Sequence, residues 1–534
     1  MQRTERHAWS SRAIARSARG MVASPHAQAT VAGAEVLRRG GTAVDAAVAS
    51  SAVLAVVYPA SCGLGGDLLA LVYEPRIGAA LAYNGSGRAP QSLGAADLRA
   101  RGYAAIPLRS PFTVTAPGCV RAWADLLGAH GRLGFDELLA PAERYARDGY
   151  VVTDLVADSI ARNAALLAED PEASALLLAG GGLRAGELAL NEPLARVFAD
   201  LRRRGPVAFY EGAVAAAICA RLNPLGNPMT PDDLAAQRTE LGSPLGVAWH
   251  GREVLAHPPN SQGLVAPMVL GALRADGARD ELAWTHLAIE AIKEAFALRD
   301  AEFADPDAMR VLPASFVADD ALRALRARLD PARARPREPA PGGGGTIAIV
   351  AADGEGRAIS LIQSLYMNFG SGLVAPGTGI FLQNRGAYFR LEAGHPNELA
   401  GGKRPLHTLS PVMVLRDGRP ELVFGTMGGD GQPQTHVQVL HAIYEREIPL
   451  QAAIDAPRFV YGRDSESPFV EALRVESRLD PSLVEGLRAL GHKLEVLGPY
   501  EHALGHGHAV AIDRERGTFA GGCDPRADSL ALGP

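Results

Sequence analysis

The sequence predicts an α+β fold in which two unlike halves of a 534-residue chain share one core. Three observations carry that expectation. The first third is alanine-rich with helical periodicity, whereas from Thr346 onward the chain becomes short alternating strands joined by tight turns. The strand-rich half also holds too few helices to cover its own strands. Each half therefore has to bury part of the other.

Taken in order, His26 to Arg39 is a periodic helix that stops at Gly40-Gly41, and Thr42 caps a second helix running to about Val57. Cys62-Gly-Leu-Gly-Gly-Asp leads into a strand from Leu68 to Tyr73, and Ala79 to Tyr83 forms the next. Further helices are expected at Val120–His130, Leu138–Asp148, Ala213–Leu222 and Thr285–Phe303. Asp330 to Gly345 is rich in Pro, Arg and Gly and reads as a mobile loop. The expected division is a helix-rich portion, 1–345, ending in the linker 330–345, and a strand-rich portion, 346–534. No internal repeat is present.

Composition sets the outer limits. The chain is 47% hydrophobic and 21% charged with a net charge of −6, so no general attraction to nucleic acid or anionic membrane is expected. The one basic stretch, Arg323 to Arg337, contains Pro331 and Pro336 and no aromatic residue, which is the character of a solvated linker. Four cysteines, Cys62, Cys119, Cys219 and Cys523, lie far apart without a CxxC pair, fitting a reducing compartment better than a disulfide framework or a zinc site. The most apolar window, Ala43 to Ala60, contains Asp45, Ser50 and Ser51, and suits a buried helix better than a membrane span. Met1 to Gly20 carries arginines but no apolar run behind them, so no secretory signal is read there. These features together predict a soluble cytoplasmic protein with no nucleic-acid or membrane partner.

The chemistry concentrates at Gly342–Gly345 followed by Thr346. A hydroxyl beside its own freed backbone amine is a complete nucleophile-plus-base unit, and it needs one cut, between Gly345 and Thr346. Asp353-Gly-Glu-Gly356 is a hairpin turn signal, and Ala358 to Leu365 returns antiparallel to the strand that Thr346 opens. Facing residues in such a hairpin have numbers summing to about 709–710, which places Ser364 across from Thr346. A Thr–Ser pair across two strands also occurs for structural reasons alone. Gly425-Thr-Met-Gly428-Gly429-Asp430 follows an apolar strand, Glu421 to Phe424. Its glycine N–H groups can converge on an oxyanion; the same pattern also serves as a plain strand-to-helix turn.

Several segments, collinear from about Gly20 to the C-terminus, resemble the γ-glutamyltransferase family. They are Gly20-Met-Val-Ala-Ser, Gly40-Gly-Thr-Ala-Val-Asp-Ala-Ala-Val, Gly63-Leu-Gly-Gly, Asn368-Phe-Gly-Ser-Gly, Lys403-Arg-Pro-Leu, Met427-Gly-Gly, Ala456-Pro-Arg-Phe and Asp524-Pro-Arg. The resemblance implies an N-terminal-nucleophile (Ntn) hydrolase with a four-layer αββα sandwich of two stacked, mainly antiparallel sheets. It also implies a precursor that cuts itself into a large and a small fragment, with Thr346 as nucleophile, Ser364 in the place of the family's assisting threonine, and Gly428 and Gly429 as the oxyanion glycines. A homodimer of such heterodimers is compatible with it. No metal or organic cofactor is required by this chemistry.

The glutamyl-recognition set departs from the family pattern. Ser86 stands where the family has its α-carboxylate arginine, and the nearest arginine is Arg88. Tyr366, Arg385 and Tyr388 replace Asn, Gln and an acidic residue, and His407-Thr408 replaces a pair of serines. An ammonium beside Arg385, with no carboxylate at position 388, is disfavoured by like-charge repulsion. Arg88, Arg385 and His407 are instead candidates to bind a carboxylate, with Asp430 a further candidate contact. Pairing of the two arginines with acidic neighbours is the alternative. The set is similar to the oxamate amidohydrolase branch, with cephalosporin-type acylases as second relatives. The segment between Arg385 and Lys403 looks shorter than the family's lid-bearing loop, which favours water over a positioned amine as acceptor. The expectation is thus a cofactor-free amidohydrolase acting on a small anionic amide. A true γ-glutamyltransferase or glutathione hydrolase, and an uncleaved binding protein, are the rivals. Gly342–Thr346 lacks the lysine of a phosphate loop. His502, His506 and His508 lack a carboxylate partner in the sequence pattern, so no metal is expected there.

Overall fold

A computed structural model describes residues 12–274, 280–336, 341–342, 345–464 and 473–534. Two seven-stranded sheets, antiparallel at every pairing, lie at its centre. The first runs Leu530–Leu532, Gly20–Ser24, Gly345–Asp353, Ala358–Tyr366, Asp67–Glu74, Ala79–Gly85, Glu240–Gly242 in spatial order. The second runs Ala15–Ser17, Thr518–Cys523, Gly507–Asp513, Arg419–Thr426, Val412–Arg416, Arg252–Ala256, Leu245–Trp249. Strands from both sides of Thr346 interleave in each of these two sheets, so neither half builds either of them alone.

Strand side chains alternate between faces, and the alternation assigns the layers. Ile347, Ile349 and Ala351 pack with Leu68, Ala70, the buried face of helix Ala27–Arg38 and the buried helix Ala43–Val57 in one large core. Val350 and Ala352, one residue out of phase, meet Leu71 of their own sheet and Met413, Val423 and Val510 of the other. The far face of the second sheet, including Val254, Val412 and Phe424, is covered by helices Val265–Leu273, Glu281–Glu302 and Gly431–Tyr444. Helix, sheet, sheet and helix therefore stack in four layers, the αββα sandwich expected of the resemblance.

The apolar window is a helix with no polar face: every residue from Ala43 to Val57 is buried. The Thr42 side chain accepts from the Asp45 N–H while Asp45 accepts from the Thr42 N–H, closing a capping box. Asp353 of the hairpin turn accepts from the Ala43 N–H at 2.9 Å, tying this helix start to the strand that Thr346 opens. The long helix begins at Glu281, a turn earlier than its periodicity suggests, because Asp280 caps it. No helix among the described residues is long and apolar enough to cross a membrane.

The loop expected over Asp330–Gly345 lies partly outside the described residues, and its described beginning departs from expectation by being anchored. His286 Nε2 bonds the Asp330 carbonyl at 2.8 Å, the Ala334 N–H reaches the Leu490 carbonyl at 2.7 Å, and Lys293 Nζ bonds the Arg335 carbonyl at 3.0 Å. Pro341–Gly342 pairs in parallel with Arg463–Asp464.

Candidate active site

Thr346 is the second residue of its strand and faces Ser364, which in turn faces Asp67 on the next strand. Directly opposed residues share a face, so Thr346, Ser364 and Asp67 form one row pointing into the space between the sheets. The Thr346 hydroxyl donates to Ser364 Oγ at 3.0 Å, and the Tyr366 N–H donates to the same oxygen at 2.7 Å. Ser364 sends its own proton to the Gly345 carbonyl oxygen at 2.6 Å. The bond between Gly345 and Thr346 thus has its carbonyl polarised and the neighbouring hydroxyl held by one serine. The register slips between Gly345 and Thr346, and opposite that irregularity Tyr366 takes a left-handed backbone with φ of 78°. At Gly345 a Cβ would lie 2.6 Å from Asn368 Oδ1 and 3.1 Å from the Ala60 carbonyl oxygen, so a side chain there would displace Asn368 and crowd the backbone.

Gly428 and Gly429 sit in the turn between the strand Arg419–Thr426 and the helix Gly431–Tyr444, with φ of 126° and 53°. Their carbonyls are engaged: Gly431 N–H donates to Gly428, and Gln432 N–H and Gln262 Nε2 donate to Gly429. Among the described residues their own N–H groups have no hydrogen-bond partner, so they stand as donors at a helix N-terminus. Gly345 and Gly428 line one cavity of about 160 Å³, together with Asn368, Asp430, Arg474 and His502.

Arg385 is fully buried. Its Nη1 donates to Thr408 Oγ1 at 3.0 Å, its guanidinium lies 4.4 Å from the Tyr366 ring centre, and among the described residues Nε and Nη2 have no partner. Burial pulls its pKa down, opposed by Tyr366, Tyr388, Asp67 and Asp430. The Tyr388 hydroxyl, beside the Tyr366 ring, donates to Asp430 Oδ1 at 2.9 Å, and Arg299 Nη1 donates to the same oxygen at 2.7 Å. Asp430 Oδ2 is buried without a partner among the described residues. Burial raises the Asp430 pKa against the pull of Arg299. A guanidinium edge and a carboxylate oxygen therefore both stand uncommitted near the two tyrosines.

Two sequence-predicted contacts are placed otherwise. Arg88 does not offer a free fork: Nη2 pairs with Glu240 at 2.5 Å, and Nη1 reaches the Gly402 carbonyl at 2.7 Å and Asp305 at 3.4 Å. Acidic neighbours have claimed it, as the alternative reading held. His407 is no cation either. Its Nδ1 accepts from the Leu409 N–H, which leaves the proton on Nε2, directed at Asp67 Oδ2 at 3.1 Å. Burial, then the nearby Arg385 charge, holds its pKa well below the usual histidine value.

Asp67, Arg299 and Gln262 were missed by sequence reasoning. Asp67 is buried and accepts from the Gly87 and Gly118 N–H groups and from Gln383 Nε2, besides His407. Burial pushes its pKa up to about 6, against the Arg385 charge and these bonds. The one available signal is a carboxylate placed between a glycine-rich turn and an apolar strand. Arg299 was hidden on a long helix, where a lone arginine reads as solvent-facing. His286, Glu290 and His492 bring potential metal ligands within 4.8 Å of one another. Lys293 already pairs with Glu290 at 2.7 Å, and the two imidazoles bond each other at 2.8 Å, so this cluster is balanced without an ion.

The gamma-glutamyltranspeptidase family profile matches residues 29–533. The glutathione hydrolase-like YwrD proenzyme of Bacillus subtilis is 38% identical over 519 residues, covering 96% of this chain and 98% of the relative. The oxamate amidohydrolase proenzyme of Klebsiella pneumoniae is 38% identical over 529 residues, covering 97% and 99%. The crystal structure of a cephalosporin acylase from Bacillus halodurans superposes with a TM-score of 0.91 at 35% identity, covering 98% of this chain and 97% of that one.

Proposed function

Because the chain belongs to the gamma-glutamyltranspeptidase family and is an amide hydrolase/acyltransferase, we propose that it cuts itself between Gly345 and Thr346 and then hydrolyses a small anionic amide through an ester on Thr346. The observation that carries this reading is the Thr346 hydroxyl held by Ser364, whose own proton lies on the Gly345 carbonyl. Relatives named as proenzymes support a cleaved precursor. In the first step the Thr346 oxygen attacks the Gly345 carbonyl carbon, the amide C–N bond breaks, and the released nitrogen takes up the hydroxyl proton to become a free amine. Water then hydrolyses the ester, leaving Gly345 as a carboxylate and Thr346 as an N-terminus. The boundary between large and small portions falls there.

The freed amine, with an ordinary pKa of roughly 7.7–8.0, takes the hydroxyl proton during each turnover. The Thr346 oxygen attacks the substrate carbonyl, and the Gly428 and Gly429 N–H groups receive the oxyanion. The leaving amine departs with the proton, and water resolves the ester. Arg385 supports an anionic acyl group: Nε and Nη2 form the bidentate edge of a guanidinium, and both are unpartnered among the described residues. Its relative named for oxamate, a carboxylate joined to an amide, is consistent with such a substrate.

One observation favours a second reading, γ-glutamyl hydrolysis. The carboxylate absent at Tyr388 is returned through Asp430, which the Tyr388 hydroxyl holds with Oδ2 free. That oxygen suits a substrate ammonium. Turnover of oxamate beside a γ-glutamyl anilide separates the two: oxamate turnover well above γ-glutamyl turnover supports the first, the reverse ranking the second. A denaturing gel tests the shared chemistry. Two bands split at Thr346 are expected, with one uncut band and no activity in Thr346→Ala; an active uncut chain defeats both readings.

A further inference from the structure

The row from Thr346 through Ser364 ends on Asp67, a carboxylate that the chemistry above does not use. Asp67 is fully buried, and its oxygens are held by two backbone N–H groups, Gln383 and His407. Each of those donors is neutral; His407 is kept neutral by the Leu409 N–H at its other nitrogen. Arg385 is held beside Asp67 by the same two segments: it lies two residues after Gln383, and its partner Thr408 follows His407. Its charge lowers the Asp67 pKa across space, although no ion pair joins them among the described residues. Arg385 is in the same position. It is buried, tethered by one bond to Thr408 and stacked on Tyr366, and it feels the charges of Asp67 and Asp430 with no hydrogen bond to either among the described residues. Of those two carboxylates, Asp430 already has a guanidinium of its own, Arg299. Asp67 has none.

We propose that Asp67 is a positioning residue acting through Arg385: a resident counter-charge that weakens the hold of this guanidinium on the carboxylate of substrate and product. The inference rests on the reading of Arg385 as the anion site. A fixed negative charge nearby in the protein interior partly neutralises the field that an incoming anion would otherwise meet. It therefore keeps the buried arginine stable in the empty site and opposes over-tight binding once the anion has arrived. Release of a doubly charged product, such as the oxalate that oxamate hydrolysis yields, is where this opposition matters most. Held too tightly, a product blocks the next turnover.

The test is oxalate binding by calorimetry on the processed enzyme, for wild type, Asp67→Asn, Arg385→Leu and the double variant. Asp67→Asn removes one charge and also disturbs the bond to His407, so its ligand-free melting temperature falls. A merely structural role would then loosen the site and weaken oxalate. The counter-charge role gives the opposite sign: oxalate binds about tenfold tighter, and KM for oxamate falls while kcat does not rise. Asp67→Ser, smaller and equally neutral, carries the same expectation should the asparagine variant not fold. Arg385→Leu abolishes oxalate binding, and in the double variant the Asp67 effect disappears. Weaker or unchanged oxalate binding in both Asp67 variants overturns the proposal while leaving the anion site in place. Intact oxalate binding in Arg385→Leu takes down the anion site and this inference together.

Discussion

Ser364 shows how much one hydroxyl can organise. It accepts from Thr346 and from the Tyr366 N–H and donates to Gly345, so its single proton is committed to the bond to be cut. Ser364→Ala removes both the donor to that carbonyl and the orienting acceptor for the nucleophile. Self-cutting should slow by about 10²-fold, the scale of one lost oxyanion donor, while Thr346→Ser still cuts; the fraction cut against time on denaturing gels reads both. The pH profile follows from the freed amine. Thr346 is 1% exposed, and burial disfavours an ammonium, so the amine titrates below roughly 7.7–8.0. The unprotonated form is the base, so kcat/KM is lost as pH falls through this value and recovers above it. A kcat/KM that shows no loss on the acid side, down to the pH at which the protein unfolds, would contradict the amine as base. Thr346 and Ser364 were legible in the sequence because the turn that pairs them is local, 18 residues being folded about one Asp-Gly signal. Arg88 was not, since Glu240 and Asp305 come from distant segments and no local pattern announces an ion pair between them.

At the scale of elements, the strand-to-helix turn at Gly428 makes a position-specific claim. A Cβ at Gly428 would find its nearest neighbour at 3.6 Å, so there is room for it. The backbone is the obstacle, because φ of 126° strains any residue with a side chain, by about 1–3 kcal/mol. The turn of Gly428→Ala relaxes by rotating this peptide and re-aiming the N–H groups. Activity should fall about 10²–10³-fold while far-UV circular dichroism stays native. Wild-type kcat in Gly428→Ala would remove this turn from the oxyanion site. Helix boundaries were read well where a cap is encoded in adjacent residues, as at Thr42 and Asp45. The linker was read poorly at its start. Its composition says loop, but its anchors, His286, Lys293 and Leu490, are backbone-directed contacts from remote helices that composition does not register.

Over the whole molecule, the imbalance of strands and helices in the sequence was enough to indicate a shared core, because uncovered sheet faces must find apolar partners. The order of strands was not, since it depends on pairings between segments hundreds of residues apart. That order fixes what cutting does to the assembly. Gly345–Asp353 is hydrogen-bonded to Gly20–Ser24 on one side and Ala358–Tyr366 on the other, and the latter to Asp67–Glu74. Further contacts cross the cut: Asp353 holds the helix start at Ala43, and Leu490 holds the chain at Ala334. Separating the fragments means opening both sheets and exposing the cores on either face, which is equivalent to unfolding. The cut protein should therefore elute from gel filtration as a unit of at least 55.9 kDa while running as two bands under denaturing conditions. Urea should dissociate and unfold it in one transition. The midpoint should lie close to that of uncut Thr346→Ala, because the severed bond sits beside a register slip, where few sheet contacts depend on chain continuity. Release of the smaller fragment at urea concentrations that leave far-UV circular dichroism unchanged would show that the interleaved sheets do not govern cohesion.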